Sequence, residues 1–84
     1  MTNLEFDILD ELYFLTSFKD LKDTCRINPP EINLVLWQLV EKGWVLCHRN
    51  NDQEIIPTKP EFESQFVNYH YLASKKGLLA HNAR

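Results

Sequence analysis

The chain has 84 residues, enough for one domain around one small core. Apolar residues make up 44% and charged residues 25%, a globular balance rather than a disordered one, and no apolar run approaches the roughly 20 residues of a membrane span. The net charge is -3, whereas free-standing nucleic-acid binders are more often basic, because phosphate contacts supply most of their affinity.

That charge is unevenly placed. Residues 1–15 hold Glu5, Asp7, Asp10 and Glu11 and no base. Between residues 16 and 48, Lys19, Lys22, Arg26 and Lys42 are cancelled by Asp20, Asp23, Glu31 and Glu41. Residues 49–68 are net acidic, and the tail from Tyr69 carries Lys75, Lys76 and Arg84 without an acid. No segment forms a strong basic stripe. The acidic start, "MTNLEFDILDEL", does not have the character of a signal or transit peptide. Cys25 and Cys47 lack CxxC spacing and are too few for a disulfide framework. A cytoplasmic protein with two reduced thiols is the expectation.

In chain order, Leu4, Ile8, Leu12 and Leu15 recur at helical spacing with Phe6, Leu9 and Tyr13 beside them. This predicts an amphipathic helix from Asn3 to about Leu15. Thr16 and Ser17 break it and can cap a second, short helix, in which Phe18, Leu21 and Cys25 step by three and four. "RINPP" is a turn: Asn28 suits an N-cap, and Pro29 and Pro30 fall in the first turn, where no donor is needed. The third helix then runs to Lys42, its apolar set Ile32, Val35, Leu36, Leu39 and Val40 forming one face, and Gly43 supplies a left-handed stop.

"WVLCHR" predicts a strand. Residues 50–65, polar and twice interrupted by proline, are expected as a long loop, with a strand fragment at Ile55 and Ile56 and a helical turn starting at Pro60 and Glu61. "FVNYHYL" alternates and would pair with "WVLCHR" as a hairpin. Ser74 can cap a last helix containing Leu78 and Leu79, which Gly77 weakens by about 1 kcal/mol relative to Ala. A core this thin makes dimerisation a plausible supplement.

These motifs together resemble a family. "SFKDLKDTCRINPPEINLVLWQLVEKGWV" looks like the helix pair of a winged helix-turn-helix domain, as in small bacterial MarR-, PadR- and ArsR-like regulators. "WVLCHR" looks like the first wing strand, and "YHYLASKKGLLAHNA" is similar to the second wing strand running into the final helix. The resemblance covers nearly the whole chain. It implies a mainly α (α+β) fold: a three-helix core, a β-hairpin wing with a long connection, and a short C-terminal helix. It also implies a DNA-binding transcription regulator, commonly a homodimer.

In such a domain the early outward residues of the third helix reach base edges. Here they are Glu31, Asn33, Leu34, Trp37 and Gln38, with Glu41 a turn further on. Asn33 and Gln38 can read adenine and Glu31 can accept from cytosine, but no Arg or Lys is present for guanine or phosphate. Phosphate contacts would fall to Lys19, Lys22 and Arg26, helped by Lys42, Arg49, Lys59, Lys75 and Lys76; on the plainer view these are a solvated surface. Leu34 and Trp37 lie one turn apart on a face the core does not need, as a protein partner surface would. The same fold class serves protein interaction without DNA. Alternatively the long connection, with Ile55, Ile56, Phe62 and Phe66, folds back over that pair.

Cys47, His48, His70 and His81 raise a metal question. Cys47 and His48 are adjacent on one predicted strand and point to opposite faces, while His70 can pair across the hairpin with either. No spacing guarantees three ligands, and nothing holds a nucleophile beside a base or forms a glycine-rich phosphate loop. No metal, cofactor or catalytic residue is expected.

Overall fold

The computed structural model describes residues 1–25, 28–50 and 53–83. Helix α1 (Asn3–Glu11) starts at a capping box: the Glu5 N–H donates to Thr2 Oγ1 at 3.0 Å and the Thr2 N–H donates to Glu5 Oε1 at 2.9 Å. It ends about a turn before the predicted Leu15. The Leu12 carbonyl instead accepts the Ala73 N–H at 2.8 Å, and the chain turns into strand β1 (Thr16–Ser17). Ser17 also caps helix α2 (Phe18–Cys25), its Oγ accepting from the Asp20 N–H at 3.1 Å.

Helix α3 (Pro29–Glu41) follows, with Asn28 in the extended cap conformation but without a side-chain cap bond. Its exit is a Schellman motif: Trp44 N–H donates to the Leu39 carbonyl, Gly43 N–H donates to the Val40 carbonyl, and Gly43 takes φ +76°. That reversal delivers the chain into β2 (Val45–Arg49), which turns through Asn50, at φ +62°, towards β3 (Gln53–Ile55).

The loop expected at 50–65 is corrected in extent: the strand fragment takes in Ile55 but not Ile56, and the turn expected at Pro60 and Glu61 belongs to a longer helix. The segment contains β3 and a full helix, α4 (Lys59–Gln65), opened by a second capping box between Thr58 and Glu61. Pro57 precedes that cap and Pro60 sits in the first turn, so neither removes a needed donor. A 3₁₀ turn (Phe66–Asn68) occupies the start of the predicted last strand, and β4 (Tyr69–Ala73) begins three residues later than expected. Ser74 caps α5 (Lys75–Asn82) through the Gly77 N–H.

The four strands form one antiparallel sheet in the order β1-β4-β2-β3. Val45, Cys47, Tyr69, Tyr71 and Ala73 face the helices. Against them pack Ile8, Leu9 and Leu12 of α1, Phe18 and Leu21 of α2, Ile32, Leu36 and Leu39 of α3, and Phe62 of α4. The result is an α+β fold with a single core. No helix among the described residues is long and apolar enough to cross a membrane.

Gly77 reverses an expectation. A Cβ there would lie 2.1 Å from the Trp44 carbonyl oxygen, which is itself pinned by the Ser74 N–H at 2.9 Å. The residue costs helix propensity, but it is what lets α5 pack onto the α3–β2 junction. Gly77→Ala is expected to destabilise the domain by about 2 kcal/mol or more, lowering the melting temperature by roughly 8–16 °C. Thermal denaturation followed by circular dichroism checks this, and an unchanged midpoint would refute the close approach.

Candidate functional site: the outer face of the third helix

Helix α3 presents two faces because its apolar residues recur with the helical period. Ile32, Leu36 and Leu39 are fully buried, while Glu31, Leu34, Gln38 and Glu41 are exposed. Asn33 and Trp37 lie between these limits, half-buried. The cause is α4. Phe62 is only 1% exposed, and its ring centroid stands 5.3 Å from Trp37, 5.8 Å from Phe66 and 6.4 Å from both Tyr69 and Tyr71. Trp37 is therefore not the free outward side chain of an exposed Leu–Trp pair. The connection folds back over it, while Leu34 stays 66% exposed.

Between α3 and α4 runs a groove of about 210 Å³. Leu34, Trp37 and Phe62 supply its apolar surface, and Asn33, Gln38, Glu41, Lys59 and Glu63 its polar edges. Asn33 Oδ1 is shielded there without a hydrogen-bond partner. Of the residues expected to face bases, Asn33, Leu34, Trp37 and Gln38 meet in this groove. Phe62 joins them, as the fold-back alternative for the connection has it, and Glu63 joins them unanticipated. Their signal was the "TKPE" capping box, which marks a helix start and places Phe62 at its fourth position.

The expected phosphate contacts come from separate elements. Lys19 on α2 is exposed and paired with Asp23 at 3.2 Å, and Lys22 is half-buried. Arg26 lies outside the described residues. Lys75 and Lys76 are exposed on α5. Arg49 ends β2 and lines a wider polar cleft of about 440 Å³ with Glu61, Ser64, Gln65 and Tyr69. Among the described residues, Lys59 alone of the basic candidates borders the α3–α4 groove.

Lys42 is committed elsewhere. Its Nζ donates to Glu5 Oε2 at 2.5 Å and sits 4.7 Å from the centre of the Trp44 ring. Glu5 is 3% exposed. Burial alone would raise its pKa, but the hydrogen bond and charge of Lys42, with the Thr2 N–H, outweigh this and hold the carboxyl below its ordinary range.

Neither thiol is poised for nucleophilic chemistry. Burial, aided by Glu11 and Asp7, pushes Cys25 up to about 11, and burial pushes Cys47 up to about 12, so both remain protonated near neutrality. Cys47 points into the core, and His70 stands opposite His48 across the hairpin rather than beside the thiol. His81 lies on α5, stacked on Phe6 at 4.2 Å, accepting or donating at Nδ1 with the Tyr13 hydroxyl and 3.3 Å from Asp10. Among the described residues, no group of three or more His, Cys, Asp and Glu side chains is arranged to hold a metal ion.

The chain matches no family model, no curated protein and no solved structure.

The Glu5–Lys42 pair carries a pH signature. A carboxyl depressed in the folded state stabilises the fold above its unfolded pKa and loses that contribution as pH falls through the folded value. Glu5→Gln keeps an acceptor for the Thr2 N–H but removes the charge. We expect it to cost up to about 1 kcal/mol at neutral pH and to reduce the loss of stability on acidification. Urea denaturation at neutral and acid pH checks both; equal pH dependence in variant and parent would refute the pairing.

Proposed function

We propose that this chain is a winged-helix module that binds a protein segment in the groove between α3 and α4. The element order supports the winged-helix part: three helices with a short strand after the first, then a hairpin of β2 and β4, then a terminal helix. On this reading β3 and α4 are an insertion in the wing, folded back along the helix that would otherwise meet DNA.

One observation carries the choice of partner. The outward face of α3 is half occupied by Phe62, and what remains open is Leu34 bordered by carboxylates. Helix α3 contains Glu31 and Glu41 and no basic residue, and α4 adds Glu63 at the groove edge against a single Lys59. Such a rim repels phosphate and complements a basic partner. The fitting occupant is an amphipathic basic segment, in the helix-in-groove mode, with one apolar side chain seated against Leu34, Trp37 and Phe62. Duplex DNA is the rival occupant and rests on the resemblance and on the exposed Lys19, Lys75 and Lys76.

The test titrates the isotopically labelled chain with a short amphipathic Leu/Lys peptide and, separately, with a mixed-sequence DNA duplex at low salt. The expected result is amide shifts centred on Leu34, Gln38 and Glu63 with peptide, weakened about tenfold or more in Leu34→Glu. Duplex should leave α3 unmoved. Peptide shifts away from the groove, or salt-sensitive duplex binding that perturbs α3, would overturn the proposal.

A further inference from the structure

Strands β2 and β4 set His48 directly opposite His70. Their neighbours in sequence, Cys47 and Tyr71, are 1% and 0% exposed and point into the core, so pleat alternation turns both imidazoles to the other face of the sheet. The same cross-strand row continues to Glu54 on β3, opposite His48, and to Ser17 on β1, opposite His70.

Three of the four ring nitrogens in this pair, Nδ1 and Nε2 of His48 and Nδ1 of His70, are shielded from solvent without a hydrogen-bond partner. Shielded polar atoms normally find a partner, and an imidazole nitrogen without one is free to accept from a donor or to bind a metal. Directly opposed residues hold their Cβ atoms about 4.5–5.5 Å apart. Over that span two imidazoles can reach a single ion at about 2.0–2.1 Å each.

We propose that His48 and His70 form a two-imidazole site for a divalent transition-metal ion of the zinc, nickel and copper class. Two side-chain ligands leave the other coordination positions to water or to an incoming donor, so the ion is exchangeable and held less tightly than in a closed four-ligand site. Glu54 lies on the far side of His48 from His70. It makes no hydrogen bond to His48 here, and as its register neighbour it is the carboxylate that would steady the ring once the ion is bound, as outer carboxylates do. Imidazole donors favour copper(II) over nickel(II) and zinc(II), which orders the expected affinities.

The test titrates the intact chain with Ni²⁺ while the histidine ring signals are followed by NMR, and with Zn²⁺ by calorimetry. Ni²⁺ should broaden the signals of His48 and His70 at ratios that leave His81 sharp. His48→Gln and His70→Gln should each weaken Zn²⁺ binding at least tenfold, and Glu54→Gln by a smaller factor, with amide spectra confirming that each variant is folded. Should a variant fail to fold, the broadening pattern of the parent chain decides alone. No broadening, equal broadening of His81, or parental affinity in both histidine variants would overturn the site.

Discussion

The architecture depends on one aromatic side chain, Phe62. It leaves a segment that is polar almost throughout and enters the space bounded by Trp37, Phe66, Tyr69 and Tyr71. Burying a phenylalanine contributes about 1.5–3 kcal/mol, a large share of the margin available to a domain of this size. Tilted, edge-on and stacked contacts with four rings add to this. Without α4, the indole of Trp37 would face solvent on the outer side of α3, and the sheet end around Tyr69 would be open.

That constraint sets what α3 can do. Its inner face is committed to the core shared with α1 and the sheet, and Phe62 occupies part of its outer face. A strip remains, running from Asn33 and Leu34 to Gln38 and Glu41 and walled by α4. The strip combines one exposed apolar residue with carboxylates. Lys42, the base nearest to it in sequence, is drawn to Glu5 on α1 instead. Fold and charge thus bear on the same question. A connection that enlarges the core also reshapes the outer surface of the helix.

Local signals were the most legible. The period of Ile32, Val35, Leu36, Leu39 and Val40 gave α3 its inner face, and Lys42-Gly43 marked the stop that the Schellman bonds realise. Ser74 acts as the cap its position suggested. Segment 50–65 is less legible, because Pro57 and Pro60 read as breaks and hide the length of its helix. Thr58 and Glu61, three apart around Pro60, were the stronger evidence, since a proline in the first helical turn is permitted. The early end of α1 was not legible, because it depends on Ala73, sixty-one residues away, taking the Leu12 carbonyl. Gly77 appeared as a cost because the Trp44 backbone against it is a tertiary neighbour. Of the candidate site, the α3 residues could be named from helical spacing and Phe62 stood among the residues of the fold-back alternative; Glu63 could not be placed beside them until the connection had a path. The His48–His70 pairing was one of two open alternatives until the register was known.

The central claim is that Phe62 closes over Trp37, and the indole itself reports on it. In a Trp44→Phe background Trp37 is the sole tryptophan, so its fluorescence quenching by acrylamide can be measured in the folded chain and in urea. The account predicts blue-shifted emission and quenching several-fold weaker in the folded chain, with Phe62→Ala moving both towards the unfolded values. Quenching in the folded chain as strong as in urea would mean that Trp37 stands free on the surface, and would contradict the account.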